Sequence, residues 1–297
     1  VFKTILSKEQ NIQGKKDMDK VMIFDVQRSS FVDGPGIRTT VFFKGCNMRC
    51  KWCHNPESQN PKKQMLFYAD KCTHCGKCLE VCPNHLEKCT FCGKCALYCS
   101  SEARRICGEE KTADEIFAII KSDKSFYDAS GGGATFSGGE CMLYTDFLLE
   151  LLEKCRADGI HTAVDTAGNV PWKCFEKVIP YTDLFLYDIK CITPSVHRDF
   201  TGADNALLLE NYKRLLDADA EIIVRVPMIP ECNANDEEFE KIADFLHRYP
   251  PKKAELLPYH SMGEGKYRAL GLGEPQIFTV PSETSMKKFK NMIGDLL

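Results

Sequence analysis

Three cysteines, Cys46, Cys50 and Cys53, sit at C-x3-C-x2-C spacing directly after an apolar run at 38–44. Structural zinc takes four protein ligands, and a cubane iron–sulfur cluster has four irons to hold. Three thiolates on a four-iron cluster leave one iron without a protein ligand, and an open coordination position is where a substrate or cofactor binds. A zinc site with the adjacent His54 as fourth ligand, or three unrelated buried thiols, are the alternatives this spacing leaves open.

A second cysteine pattern is an internal repeat. Cys72, Cys75, Cys78 and Cys82 stand at C-x2-C-x2-C-x3-C, and Cys89, Cys92, Cys95 and Cys99 repeat the spacing. Such a doubled run is the ligand set of a two-cluster ferredoxin, where the last cysteine of each run ligates the other cluster. On that pattern Cys72, Cys75, Cys78 and Cys99 hold one 4Fe–4S cluster, and Cys82, Cys89, Cys92 and Cys95 hold the second. The short gap between the runs and the Ser100 where a proline usually closes the motif depart from the pattern. Two structural zinc knuckles are the alternative.

Composition bounds the rest. The 297 residues, 43% hydrophobic and 27% charged, can bury a sizeable core. A net charge of −3 without a basic stripe gives no footprint for nucleic acid. No apolar run approaches the roughly 20 residues of a membrane span, and residues 1–20 read as a polar arm without a secretory signal. Of seventeen cysteines, not expected as disulfides, the eleven between Cys46 and Cys99 are laid out as metal ligands, which places the protein in a reducing cytoplasm.

The elements that must position these ligands alternate. Strands are predicted over 21–26, 38–44, 133–137, 161–165, 184–188, 221–226 and 254–257. Helices are predicted over 116–121, behind a capping box at Thr112 and Glu115, and over 146–157, 172–178, 205–216, 236–248 and 282–296. This rhythm means βαβ units around a parallel sheet. Six such strands, counted from 38–44, are too few for an eight-fold barrel but enough for a partial (β/α)6 barrel. Cys46, Glu140, Asp165, Asp188, Arg225 and His260 each fall at or just past a strand's C-terminal end, where parallel α/β folds build their sites. The expected domains are an arm at 1–20, the barrel at 21–70 and 109–297, and a ferredoxin-like insert at 71–108.

With these residues in view, the chain resembles the radical S-adenosylmethionine (SAM) enzymes, and within them the activating enzymes of glycyl radical enzymes. The resemblance rests on the three-cysteine loop, on Asp33-Gly-Pro-Gly-Ile-Arg38 and on Cys53-His-Asn-Pro-Glu57. It continues through 131–140, ending Ser137-Gly-Gly-Glu140, then Asp165-Thr-Ala-Gly168, Tyr187-Asp-Ile-Lys190, 225–230 and Leu256-Leu-Pro-Tyr-His260. It implies that a reduced 4Fe–4S cluster on Cys46, Cys50 and Cys53 cleaves SAM to a 5′-deoxyadenosyl radical. That radical takes a hydrogen from a glycine α-carbon of a partner glycyl radical enzyme.

The same resemblance implies roles for further residues. Trp52 lies by the adenine, Asn55 belongs to the cofactor-binding continuation, and Gly138, Gly139 and Glu140 meet the SAM amino group. Asp165 and Asp188, with backbone carbonyls of Thr166 and Leu186, form a monovalent-cation site, since two adjacent carboxylates need a proton or a cation between them. Lys190 and Arg225 supply positive charge for the SAM carboxylate, and His260 lies near the ribose. Asp33 and Arg38 border the channel for the partner's glycine-bearing peptide, although the same residues also make a good β-turn. The two insert clusters imply electron supply from a flavodoxin or ferredoxin, and the chain is expected to act as a monomer.

A radical SAM enzyme of small molecules shares the cluster but has no use for the 33–38 segment. A non-catalytic iron–sulfur electron carrier has no use for the motifs at 137–140 and 165–168. Because pyruvate formate-lyase activases typically lack the insert, a lyase or dehydratase partner fits better.

Overall fold

A computed structural model describes residues 19–297, so the expected arm at 1–20 lies almost wholly outside the described residues. The ten strands in chain order are β1 (Val21–Ser30), β2 (Arg38–Phe43), β3 (Gln64–Phe67), β4 (Arg104–Cys107) and β5 (Glu109–Lys111), then β6 (Gly133–Gly138), β7 (His161–Thr166), β8 (Leu184–Asp188), β9 (Ile222–Met228) and β10 (Lys253–Pro258). Eight of them form one sheet in the order β10-β9-β8-β7-β6-β2-β1-β5. From β2 to β10 all neighbours run parallel, six strands in all, while β1 and β5 add antiparallel edges. This is the mixed α/β fold with a partial six-stranded barrel that the alternation predicts.

Sequence chemistry explains the parallel sheet. Strand β2 reads Arg-Thr-Thr-Val-Phe-Phe, β-branched and aromatic, and all but one of its residues are buried. Burial on both faces is what helical crossovers impose on a parallel strand. The crossovers include α3 (Ala113–Ser122), α5 (Thr145–Ala157), α6 (Trp172–Val178), α8 (Ala206–Asp217) and α9 (Asp236–Arg248), with α11 (Glu283–Ile293) closing the far side. One large core joins the sheet residues Phe43, Phe136, Val164 and Val224 to helix residues such as Ile116, Leu151, Phe175, Ile242 and Phe289. The predicted capping box is formed: Thr112 Oγ1 accepts from the Glu115 amide at 3.1 Å, and the Glu115 carboxylate accepts from the Thr112 amide at 2.8 Å.

The structure adds elements the pattern did not reveal. Strand β1 runs four residues beyond its predicted end at 26, with irregularities between Ile23 and Asp25 and between Gln27 and Ser30 that break its alternation. Short helices α4 (Lys124–Ser130), α7 (Pro194–Thr201) and α10 (Glu264–Ala269) are too brief to declare a period. Strands β3 and β4 pair antiparallel and close the root of the cysteine-rich segment, which holds α1 (Lys77–Val81) and α2 (Lys94–Leu97). Among the described residues no helix is long and apolar enough to cross a membrane.

Within that segment the backbone repeats as the cysteines do. His74 and Phe91 both take left-handed conformations, φ 56° and 54°. Gly76 and Gly93, at φ 75° and 80°, cap α1 and α2. Each pair is separated by the same interval as Cys72 and Cys89, so the two runs share one backbone course.

Candidate active site

All six parallel strands end at one cavity of about 560 Å³. Its wall takes Phe42 from β2, Ser137 and Gly138 from β6, Asp165 and Thr166 from β7, Asp188 from β8, Arg225 and Pro227 from β9, and Leu257 and Pro258 from β10. The loop after β2 adds Cys46, Cys50, Trp52, Cys53 and Asn55, and the loops after β8 and β10 add Lys190 and His260. Asp33 lines it too. The structure therefore brings together nearly all the residues singled out for SAM, while the eight insert cysteines lie outside this wall. Glu140 and Arg38 are absent from this wall.

Glu140 lies behind it, 1% exposed. Its carboxylate accepts from Thr166 Oγ1 at 2.8 Å, from the Ala167 amide at 3.1 Å and from the Met142 amide at 3.1 Å. Burial pushes this carboxyl up to about 7, against those hydrogen bonds. Glu140 thus ties the end of β7 to the turn after β6. The two preceding glycines are required by close packing in the same turn. A Cβ at Gly138 would stand 2.2 Å from the Phe43 carbonyl oxygen, and one at Gly139 2.2 Å from that of Gly45. Their backbones also line the cavity.

Arg38 is fully buried as a pin for the turn before it. Its guanidinium donates to Thr135 Oγ1 at 2.6 Å, to the Ala134 carbonyl at 2.6 Å and to the Pro35 carbonyl at 3.1 Å. Asp33 accepts from Ser30 Oγ at 2.6 Å and Thr40 Oγ1 at 2.8 Å, which aims the turn at the cavity.

The floor is strongly charged. Register places Arg225 beside Asp188 on one neighbouring strand and Glu255 on the other. Arg225 lies 3.8 Å from Asp165, 4.0 Å from Asp33 and 3.5 Å from Glu255, and donates to the Val32 carbonyl. Burial opposes its charge, but these carboxylates together hold its pKa above the ordinary value. Burial raises the Asp165 carboxyl, Arg225 opposes the rise and Asp188 reinforces it, while Ser137 Oγ donates to it at 2.6 Å. Lys190 pairs with Asp188 and keeps its charge despite burial, since Asp188 and Cys50 face it.

The thiol wall fits a cluster held by three sulfurs. Burial pushes the Cys46 thiol up to about 11 and Cys50 to about 12, and raises Cys53. A metal's positive charge would favour the thiolate forms here. The Met48 amide donates to Cys46 Sγ at 3.4 Å, the amide–sulfur contact that tunes iron–sulfur centres. Among the described residues no three His, Cys, Asp or Glu side chains converge on a single-ion position. His54, the alternative fourth ligand, stacks on His260 with ring centroids 3.9 Å apart. Among the described residues one buried side-chain atom of the cavity wall, His54 Nε2, has neither a hydrogen-bond nor an ion-pair partner, which suits a polar ligand. Trp52 serves both wall and core: it is 7% exposed and packs on Phe200 and Phe278.

Two residues that touch the site's loop carry no signal in the sequence. Lys266 and Tyr267, on α10, bond to the loop that follows Cys50. Only their contacts, more than 200 residues distant in the chain, give them away.

Comparison with known proteins shows the family. The model of the radical SAM superfamily matches residues 79–246, more than half of the chain, and that of a 4Fe-4S binding domain matches residues 63–84. The trans-4-hydroxy-L-proline dehydratase activating enzyme of Clostridioides difficile is 42% identical over 91% of this chain and 95% of the relative. The choline trimethylamine-lyase activating enzyme of Oleidesulfovibrio alaskensis is 38% identical over 86% of this chain and 89% of the relative. In fold alone, a radical SAM methyltransferase from Sphaerobacter thermophilus superposes with a TM-score of 0.56 over 95% of this chain and 72% of its own, at 13% identity. The chain belongs to the radical SAM superfamily and, within it, to the activating enzymes of glycyl radical enzymes.

Proposed function

We propose that this activating enzyme serves a glycyl radical lyase or dehydratase and binds SAM in the 560 Å³ cavity, against a 4Fe–4S cluster held by Cys46, Cys50 and Cys53. The observation that carries this reading is the meeting of three thiols, paired carboxylates and two buried cations where six parallel strands end. When bound, the cluster supplies an electron and SAM supplies the adenosyl group whose radical takes hydrogen from the partner's glycine.

The chain's own residues bind and orient. Lys190 and Arg225 present fixed positive charge to a carboxylate entering the cavity. Asp165 and Asp188, on strands whose register also sets Asp165 opposite Leu186, suit a monovalent cation or the SAM amino group. Trp52 offers its ring to the adenine, and His260, steadied by stacking on His54, reaches the ribose. Asn55, Gly138, Gly139 and Thr166 shape the wall. Glu140 acts from behind by holding Thr166. Asp33 borders the glycine peptide's entry, with Arg38 fixing the turn that carries it.

The insert is assigned two further 4Fe–4S clusters, passing electrons inward from a flavodoxin or ferredoxin. Its repeated backbone supports this, as do amides donating to Cys82 Sγ at 3.2 Å and Cys89 Sγ at 3.4 Å. Burial raises the Cys95 thiol and Cys89 and Cys82 reinforce the rise, which supports grouping these three sulfurs. A cytoplasmic monomer completes the reading.

Anaerobic reconstitution with iron, sulfide, dithionite and SAM tests it. The expected result is 5′-deoxyadenosine release that disappears when any of Cys46, Cys50 or Cys53 becomes alanine. Zinc in that site, or unaltered nucleoside release from those variants, would overturn the proposal.

A further inference from the structure

Helix α10 grips the three-cysteine loop from the far end of the chain. Lys266 Nζ lies 2.6 Å from Glu57 Oε1 and donates to Asn55 Oδ1 at 2.8 Å. The Tyr267 hydroxyl donates to the Cys53 carbonyl at 3.1 Å. Just before the helix, Gly263 packs so closely on the residue after Cys53 that a Cβ there would lie 2.8 Å from His54 Cα. Three points, Cys53, Asn55 and Glu57, are therefore held by α10, and a fourth, His54, by the glycine that precedes it.

The grip centres on one buried carboxylate. The Glu57 side chain is 8% exposed, and Lys266 is the cation paired with it among the described residues. The same helix packs Ala269 on Leu66 and Cys107, at the root of the cysteine-rich insert. A second cavity, of about 260 Å³, lies at this seam, with Lys266, Glu57 and Asn55 on one side and Tyr68 and Arg105 on the other. Asn55 lines both cavities.

We propose that Lys266 and Tyr267 are positioning residues that fix the Cys53 end of the cluster loop, and with it the SAM-facing geometry of the site. The inference deepens the SAM-site reading and rests on it. A thiolate ligand's direction is set by its backbone, and the Cys53 carbonyl, Asn55 and Glu57 are tied down while α10 is docked. Small misplacements of a preorganised site are costly to binding and turnover.

The test uses the reconstituted holoenzyme. Tyr267→Phe removes one hydroxyl and leaves the ring packing. The pair Glu57→Gln with Lys266→Met removes both charges without orphaning a buried carboxylate, and Lys266→Arg restores a cation. Iron content, melting temperature, calorimetric SAM affinity and the g values of the reduced cluster with and without SAM are measured. Tyr267→Phe and the double variant are expected to keep iron and fold, to shift the g values, and to bind SAM about fivefold more weakly, the loss of one net hydrogen bond. Lys266→Arg is expected to return both readouts toward the wild type. Wild-type g values and affinity in both variants would overturn the proposal, as would loss of iron and fold in both without recovery in Lys266→Arg. Should the wild type itself show no SAM-induced change, the SAM-site reading fails. The g values of the SAM-free reduced protein then decide the α10 inference, an unchanged spectrum overturning it.

Discussion

Arg225 Nη1 lies 3.8 Å from Asp165 Oδ2, reaching over strand β8 from β9 to β7. One buried guanidinium thereby balances carboxylates from three segments: Asp165, Asp33 and Glu255. Removing one member of a buried charge set leaves the others uncompensated and costs roughly 3–5 kcal/mol. Arg225→Met is expected to lower stability on that order and to abolish measurable SAM binding. Arg225→Lys, lacking the fork, should fall between. Denaturant midpoints and calorimetric titration with SAM check both, and a variant as stable as the wild type would contradict the assignment.

Glu140 gives a pH signature. Burial holds its carboxyl at about 7 in the folded chain, above the ordinary carboxylate range. The folded state then binds the proton more tightly than the unfolded state. Its contribution to stability is fully present at acid pH and is lost as pH rises through about 7, on the order of 3 kcal/mol in all. Anaerobic urea unfolding from about pH 4 to 8.5 should show this decline between the ordinary carboxylate range and about 7, level above it, and Glu140→Gln should flatten it. An equally steep slope in the variant would assign the decline to another group.

The electron-entry role proposed for the insert predicts two separable routes. Cys75→Ala and Cys92→Ala are each expected to lose about four of about twelve irons. SAM cleavage driven by dithionite should persist in both, while cleavage driven by a reduced flavodoxin or ferredoxin falls at least tenfold. Equal loss on both routes would mean that the insert does not serve electron entry alone.

A control lies far from the chemistry. Thr112→Ala breaks the capping box of α3 and is expected to cost about 1 kcal/mol, read as a lower melting temperature, with SAM cleavage unchanged.

Much of this was legible because it is local. The six parallel strands announced themselves through β-branched and aromatic runs alternating with capped helices, and Trp172–Val178 and Asp236–Arg248 fall where their patterns put them. The cysteine repeat fixed a backbone repeat because each ligand run constrains its own turns. What stayed hidden depends on contacts across the chain. No local pattern distinguishes Arg38 as a buried pin from Arg38 as a channel residue, since its partners lie on β6, almost a hundred residues on. Glu140 sits behind the wall because β7 supplies the amide and hydroxyl it binds. Cys191 and Cys232, without shared spacing in the sequence, stand with their sulfurs 3.1 Å apart because the loops after β8 and β9 meet there. Lys266 finds Asn55 across 211 residues.

The central claim is that the cavity at the strand ends generates a radical that is handed to a glycine of another protein. Electron paramagnetic resonance on the reduced holoenzyme mixed anaerobically with SAM and a candidate glycyl radical lyase or dehydratase tests it most directly. The account predicts a glycyl doublet on the partner, formed alongside 5′-deoxyadenosine and absent with Cys53→Ala. Nucleoside release without any glycyl signal across the lyase and dehydratase partners would contradict it.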